Sequence, residues 1–176
     1  MTTTGPPLFT ERLRLRELTP ADAPFIVELL NDADFLKFIG DRGVRSTEDA
    51  VAYLHNGPIK SYRENGFGLY LAERLSDAIP IGICGLVSRP VLDAPDLGFA
   101  LLPAFRSDGY ALEASRAALE HGFKVLKLER VLAIVSPANR PSIALLEKLG
   151  MHSEGAIQLS ADGEELRLFE LLKEST

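Results

Sequence analysis

Apolar and polar residues alternate strictly over Arg12-Leu13-Arg14-Leu15-Arg16, and Leu18 follows, so this segment reads as a half-buried strand with a solvated arginine face. Thr19-Pro20-Ala21-Asp22 then opens a helix, with Thr at the N-cap, Pro at N1 and an acid in the first turn. Ile26, Leu29 and Leu30 give that helix its buried stripe, and Phe35 to Ile39 reads as a short helical piece ended by Gly40. Ser46-Thr47-Glu48-Asp49 starts a further helix, which Gly57-Pro58 interrupts before Ile59 to Glu64 resumes it. The period then changes. Phe67 to Glu73, Ile79 to Val87 and Leu97 to Leu102 read as three antiparallel strands, turning at Ser76-Asp77 and across the loop Arg89 to Pro95. A helix follows from Gly109 to Val125, then an apolar strand from Arg130 to Val135, then a helix from Asn139 to Leu149 stopped by Gly150. Residues 151–160 and 165–172 fit a final hairpin turning at Asp162-Gly163. Helices that cross between strands make the sheet mixed, so the fold class is α/β.

Composition narrows this picture without changing it. The chain of 176 residues is 46% hydrophobic and 25% charged, which fits one globular domain over residues 1–176, with 1–8 as a flexible leader. Nineteen Lys and Arg against twenty-five Asp and Glu give a net charge of −6, which argues against general binding to nucleic acid. No apolar run approaches the ~20 residues of a bilayer span, and the first residues carry no basic segment followed by an apolar one. A single cysteine, Cys84, leaves no internal disulfide framework, and the setting expected is cytoplasmic. His55, His121 and His152 lack metal-ligand spacing, so no metal is expected.

Two segments carry chemistry. Leu102 to Ala111 joins a strand to a helix, and a helix start offers free N–H groups and a positive dipole end to a phosphate. Gly109 would permit close backbone approach there, although an ordinary strand-to-helix loop reads the same way. Asn139-Arg140-Pro141-Ser142 opens the last helix. Its residues suit plain capping, or else a Ser142 hydroxyl placed to donate to a reacting group.

In this order the segments resemble the GNAT acetyltransferases, and within them the RimJ/RimL-like protein N-acetyltransferases. The resemblance rests on Glu11 to Arg16, Thr19 to Asp22, Leu97 to Pro103, Arg106-x-x-Gly109-x-Ala111 against the family's [QR]-x-x-G-x-[GA] signature, Asn139-x-x-Ser142, and Leu145 to Met151. It implies a mostly antiparallel twisted sheet flanked by helices, with a V-shaped split between two central parallel strands at 97–102 and 130–135. It also implies acetyl-CoA as co-substrate and an acetyl transfer to a primary amine in a ternary complex.

Pantetheine would pair with the backbone near Phe99, Leu101 and Leu102. The pyrophosphate would lie on Arg106, Ser107, Asp108, Gly109, Tyr110 and Ala111, with Asn139 and Ser142 completing the donor site. Asp96, Glu113 and Ser142 are the acid–base candidates that the resemblance offers. Asp96 and Glu113 read equally as a strand-end carboxylate and a helix-start acid. The tyrosine that many family members carry four residues after the Ser142 position is Leu146 here. Ser107 and Asp108 stand where the family usually has Gly and a basic or amide residue, and an aspartate beside a pyrophosphate should weaken donor binding.

The acceptor expected is a protein N-terminus or a small-molecule amine, framed by loops 32–45 and 89–96, and the protein a monomer or homodimer. A weakly active or inactive domain that binds CoA or a small ligand as a regulatory module is the alternative.

Overall fold

The structure is a computed structural model that describes residues 5–174. Its strands are β1 (Leu8–Phe9), β2 (Leu13–Glu17), β3 (Leu69–Arg74), β4 (Pro80–Val87), β5 (Asp96–Leu101), β6 (Arg130–Val135), β7 (His152–Ile157) and β8 (Leu166–Leu172). They form one eight-stranded sheet in the order β1-β2-β3-β4-β5-β6-β8-β7. The helices are α1 (Ala23–Leu30), α2 (Thr47–Asn56), α3 (Pro58–Asn65), α4 (Tyr110–Lys124) and α5 (Arg140–Lys148). The mixed α/β fold class expected from the pattern is the one found.

The period-two pattern of β2 does what it should: Leu13 and Leu15 are fully buried, while Arg14 and Arg16 face Glu73 of β3 at 3.4 and 3.3 Å. Apolar clusters cover both faces of the sheet. Cys84 and Leu86 of β4 pack in the cluster containing Ala114 and Leu119 of α4, whereas Ile83 joins Ile26 and Leu29 of α1 and Leu54 of α2. A strand covered on both sides reads as a continuous apolar run, which is why Ile81 to Val87 shows no alternation. Cys84 is a core residue, its thiol pushed up to about 12 by burial.

Three boundaries differ from the sequence reading. Leu8, assigned to the leader, pairs with Leu15 in β1, while residues 1–4 of that leader lie outside the described residues. Phe67 precedes β3 instead of starting it, because its carbonyl accepts the Ser61 hydroxyl of α3 at 2.5 Å. β7 ends at Ile157, and the Gln158 amide turns to donate to the Gly163 carbonyl at 3.0 Å.

The feature that positions the site is the single parallel pair. β5 and β6 share one register point, Asp96 opposite Leu132, and the Leu132 N–H donates to the Pro95 carbonyl at 2.9 Å. Beyond it β6 is held by β8 alone, from Arg130–Leu172 to Val135–Arg167, and β5 by β4. The two central strands therefore splay apart in a V.

Candidate active site

Two cavities of about 430 and 500 Å³ occupy the V, and they share Phe35, Phe38, Ile39, Phe99, Ala100, Asn139 and Ser142. They are halves of one cleft that narrows where β5 faces the start of α5.

The smaller half is built from backbone. Leu102 N–H donates to Ile81 of β4 at 2.9 Å, so by strand alternation the main-chain groups of Phe99 and Leu101 point into the split. Leu102 is therefore not part of the open edge, contrary to expectation: its N–H is used by β4 and its side chain packs against the α1–α2 cluster. Leu101 is only half available, since its carbonyl accepts Arg106 Nε at 3.0 Å. After β5 a short 3-10 turn, Pro103–Phe105, leads to two residues in left-handed conformation, Ser107 at φ +70° and Gly109 at φ +85°. Gly109 is the N-cap of α4 and supplies no side-chain cap. The first bond of the helix is Glu113 N–H to the Gly109 carbonyl, so the N–H groups of Tyr110, Ala111 and Leu112 have no main-chain acceptor. All three residues line the cavity, as do Ser107 and Gly109.

Two charged side chains near this loop, Arg106 and Glu113, are already committed. Arg106 donates to Asp34 at 2.6 Å and to Asp32 at 2.5 Å, which ties the loop to the segment leading into the π-helical turn Phe35–Ile39. Its guanidinium is a brace and not a free anion clamp. Asp108 is exposed and absent from the cavity wall, and only its carbonyl is engaged, by Arg12 at 3.0 Å. Its side chain neither lines the cavity nor caps α4, where a carboxylate beside a pyrophosphate was expected. Glu113 is also misplaced by the sequence reading. It accepts Thr10 Oγ1 at 2.6 Å, Arg12 N–H at 2.7 Å and Arg12 Nε at 2.7 Å, and it lines neither cavity. Burial would raise the Glu113 carboxyl, but these donors hold it below its ordinary value. It fastens the turn between β1 and β2 to α4, helped by Arg12 lying 4.2 Å over the Tyr110 ring.

The larger half is built from side chains. Asp96 is 1% exposed, lines the cavity at the root of the split, and accepts Arg89 Nε at 3.0 Å. Burial pushes its carboxyl above the ordinary value, and Arg89 opposes that shift without cancelling it. Tyr53 of α2 and Ser136, just after β6, complete this region, with the Ser136 hydroxyl donating to Glu164 at 3.0 Å. Loops 32–45 and 89–96 both reach this cavity, through Lys37, Arg42, Arg89 and Asp96.

At the junction, Asn139 Oδ1 accepts the Ser142 N–H at 3.3 Å and caps α5. Capping uses the Ser142 main chain only, and its hydroxyl has no hydrogen-bond partner among the described residues. Leu146 is buried one turn later, so no hydroxyl comes from that position.

Phe99, Leu101, Ser107, Gly109, Tyr110, Ala111, Asn139, Ser142 and Asp96 are thus brought to one cleft; Arg106 braces its rim, and Leu102, Asp108 and Glu113 lie off it. Tyr53, Phe35 and Phe38 were missed. Tyr53 lies one residue before the buried Leu54, off the buried stripe of α2, and an aromatic on that flank was the one available signal.

The family model for an acetyltransferase (GNAT) domain matches residues 12–152. An uncharacterized N-acetyltransferase of Bacillus subtilis, YnaD, is 32% identical over 146 residues, which covers 83% of this chain and 82% of that protein. The spermidine N(1)-acetyltransferase of Escherichia coli is 24% identical over 146 residues, 82% of this chain and 75% of that protein. Among solved structures, an acetyltransferase from Agrobacterium tumefaciens superposes with a TM-score of 0.81 at 25% identity, covering 98% of each chain. RimL, a ribosomal L7/L12 α-N-protein acetyltransferase solved with coenzyme A, gives a TM-score of 0.79 over 93% of this chain and 95% of its own. At 18% identity that second match speaks for the fold alone.

Proposed function

The chain belongs to the GNAT acetyltransferase family, and from that premise we propose that it moves the acetyl group of acetyl-CoA directly to a primary amine, the donor lying in the smaller half of the cleft and the acceptor in the larger. The observation that carries this is the junction. The uncapped start of α4 and the open edge of β5 lead along one cavity to Phe99, Asn139 and Ser142, and the buried Asp96 waits in the other.

The residues fit the donor chiefly through main-chain groups, with Lys148 of α5 the cation on the same wall that no carboxylate pairs among the described residues. Three free N–H groups at a fifteen-residue helix start suit a pyrophosphate, and the Phe99 main chain suits an extended amide-bearing arm. When bound, acetyl-CoA supplies an acyl group already activated as a thioester.

The protein's own work is positional and protolytic. An amine arrives as an ammonium and must lose a proton before it can attack. Asp96, with its raised carboxyl, is the base for that proton, directly or through a water. The nitrogen–carbon bond forms as the carbon–sulfur bond breaks, and the Ser142 hydroxyl meets the departing thiolate at the positive end of α5.

Purified protein incubated with acetyl-CoA and a panel of amines should release free thiol in step with acetylated amine. Ser142→Ala should lower kcat about 10²-fold with little change in KM for acetyl-CoA. Calorimetric CoA binding with no thiol release from any amine would leave a binding module in place of an enzyme.

A further inference from the structure

Lys37, Arg42 and Arg89 face the larger cavity, against two carboxylates, Asp96 and Glu164. Asp96 is spent on Arg89, and Glu164 sits on the opposite wall with the Ser136 hydroxyl. The carboxylate next to Arg42 in sequence, Asp41, is drawn away from it: Asp41 is paired with Arg45 at 2.5 Å and accepts the Gly43 N–H at 2.8 Å. Lys37 Nζ lies 5.0 Å from the centre of the Phe38 ring. Lys37 and Arg42 thus enter the acceptor half with no carboxylate in ion-pair range among the described residues.

The backbone turns them there. Gly40 closes the π-helical turn at φ +123°, and the Arg42 guanidinium folds back over it, 3.7 Å from where a Cβ would stand. Tyr53 lines the same cavity, and its hydroxyl is also without a hydrogen-bond partner among the described residues. Burial raises that phenol, and Arg42 and Arg89 pull it the other way, so both guanidiniums lie within its electrostatic reach. A neutral hydroxyl donor that shares a cavity with unpaired cations is a binding arrangement for a carboxylate.

We infer that the acceptor is an amine that also carries a carboxylate, seated on Lys37, Arg42 and the Tyr53 hydroxyl with its nitrogen directed to Asp96. This rests on the transferase reading and adds the charge of the substrate. A polyamine would bring further positive charge against Lys37 and Arg42, in a cleft whose one deep carboxylate is already paired. The carboxylate can be the α-group of a free amino acid or a side chain next to a peptide N-terminus, since both offer the same two chemical groups.

Matched probes separate these. L-glutamate is compared with its diamide, the peptide Ser-Asp-Ala-Ala amide with Ser-Asn-Ala-Ala amide, and spermidine serves as the cationic control. Each is assayed for kcat/KM and, independently of turnover, titrated calorimetrically into CoA-saturated protein. The carboxylate member of at least one pair should be favoured about tenfold, as a charge-assisted hydrogen bond gives, and the responding pair names the source. Arg42→Glu should abolish or invert the preference while the CoA Kd stays the same, and Lys37→Glu should weaken it. Spermidine as the best probe, no preference in either pair, or a preference that survives both substitutions would overturn the inference. Failure to bind CoA in the first titration would instead sink the transferase reading beneath it.

Discussion

The two halves of the cleft solve recognition by opposite means. In the smaller half main-chain groups of β5 and the start of α4 face the cavity beside the Asn139, Ser142 and Lys148 side chains, and the charges that flank the loop are locked in pairs, Arg106 with Asp32 and Asp34, Arg12 with Glu113. In the larger half side chains carry the charge: Lys37 and Arg42 without an ion pair among the described residues, the Tyr53 hydroxyl, and the buried Asp96 with its single partner. A ligand common to a whole family is met by backbone geometry, which few substitutions disturb. A ligand that differs from member to member is met by side chains, which change freely.

The comparison breaks most sharply at Asp96. Asp96→Asn removes the proposed base and should cut kcat by about 10²–10⁴-fold, while CoA binding to the backbone half persists. Because burial raises the carboxyl, the acid limb of the wild-type kcat/KM profile should lie above the ordinary carboxylate range, and the variant should lose that limb. A variant with the same acid limb would remove Asp96 from the reaction.

That division also explains what could be read in advance. Arg106-x-x-Gly109-x-Ala111 and Asn139-x-x-Ser142 were legible because backbone sites leave local marks: a glycine where φ is positive, a capping residue at a helix start. The succession of elements along the chain and a mixed sheet were legible from periodicity and crossover helices, whereas the central parallel pair came only with the family resemblance. The partners of Arg106 lie 72 and 74 positions away and those of Glu113 lie 101 and 103 away, so no spacing announced that these charges were taken. Tyr53, Lys37 and Arg42 meet only because α2 and the π-helical turn fold over the same sheet face, which one sequence does not reveal.

Glu113 tests the claim that charges near the backbone half are structural. Glu113→Gln should cost about 2 kcal/mol, the worth of hydrogen bonds to a charged group, with activity retained at a temperature where the variant is folded. The Glu113 carboxyl is held below its ordinary value, so its contribution is full above the unfolded pKa of about 4.3 and is lost as pH falls through the lower folded value. Melting curves from pH 3 to 7 should therefore converge for the two proteins at the acid end. A large loss of kcat with unchanged melting would return Glu113 to the reaction.

Gly109→Val strikes the backbone half directly. At φ +85° a β-branched residue is strained by about 1–2 kcal/mol, and its Cβ would sit 3.4 Å from Arg12 Nη2. The loop should relax by turning its N–H groups off the cavity, weakening CoA about tenfold or more in calorimetry, with far-UV circular dichroism preserved. Unchanged affinity would mean that the start of α4 is not the anion site.

The smallest effect expected is at Asp108, where sequence alone predicts repulsion of a bound pyrophosphate. Its side chain is exposed and off the cavity wall. At about 10 Å through water, a unit charge pair is worth roughly 0.4 kcal/mol, and a Debye length of about 8 Å at physiological salt reduces that further. Asp108→Lys should therefore change the CoA Kd by less than about twofold at 0.15 M salt. The variant should also melt like the wild type, because the N-cap of α4 is Gly109 and no side-chain bond is lost. Strong tightening that fades as salt rises would show that the carboxylate reaches the donor after all, and that the backbone half is governed by side-chain charge like the other.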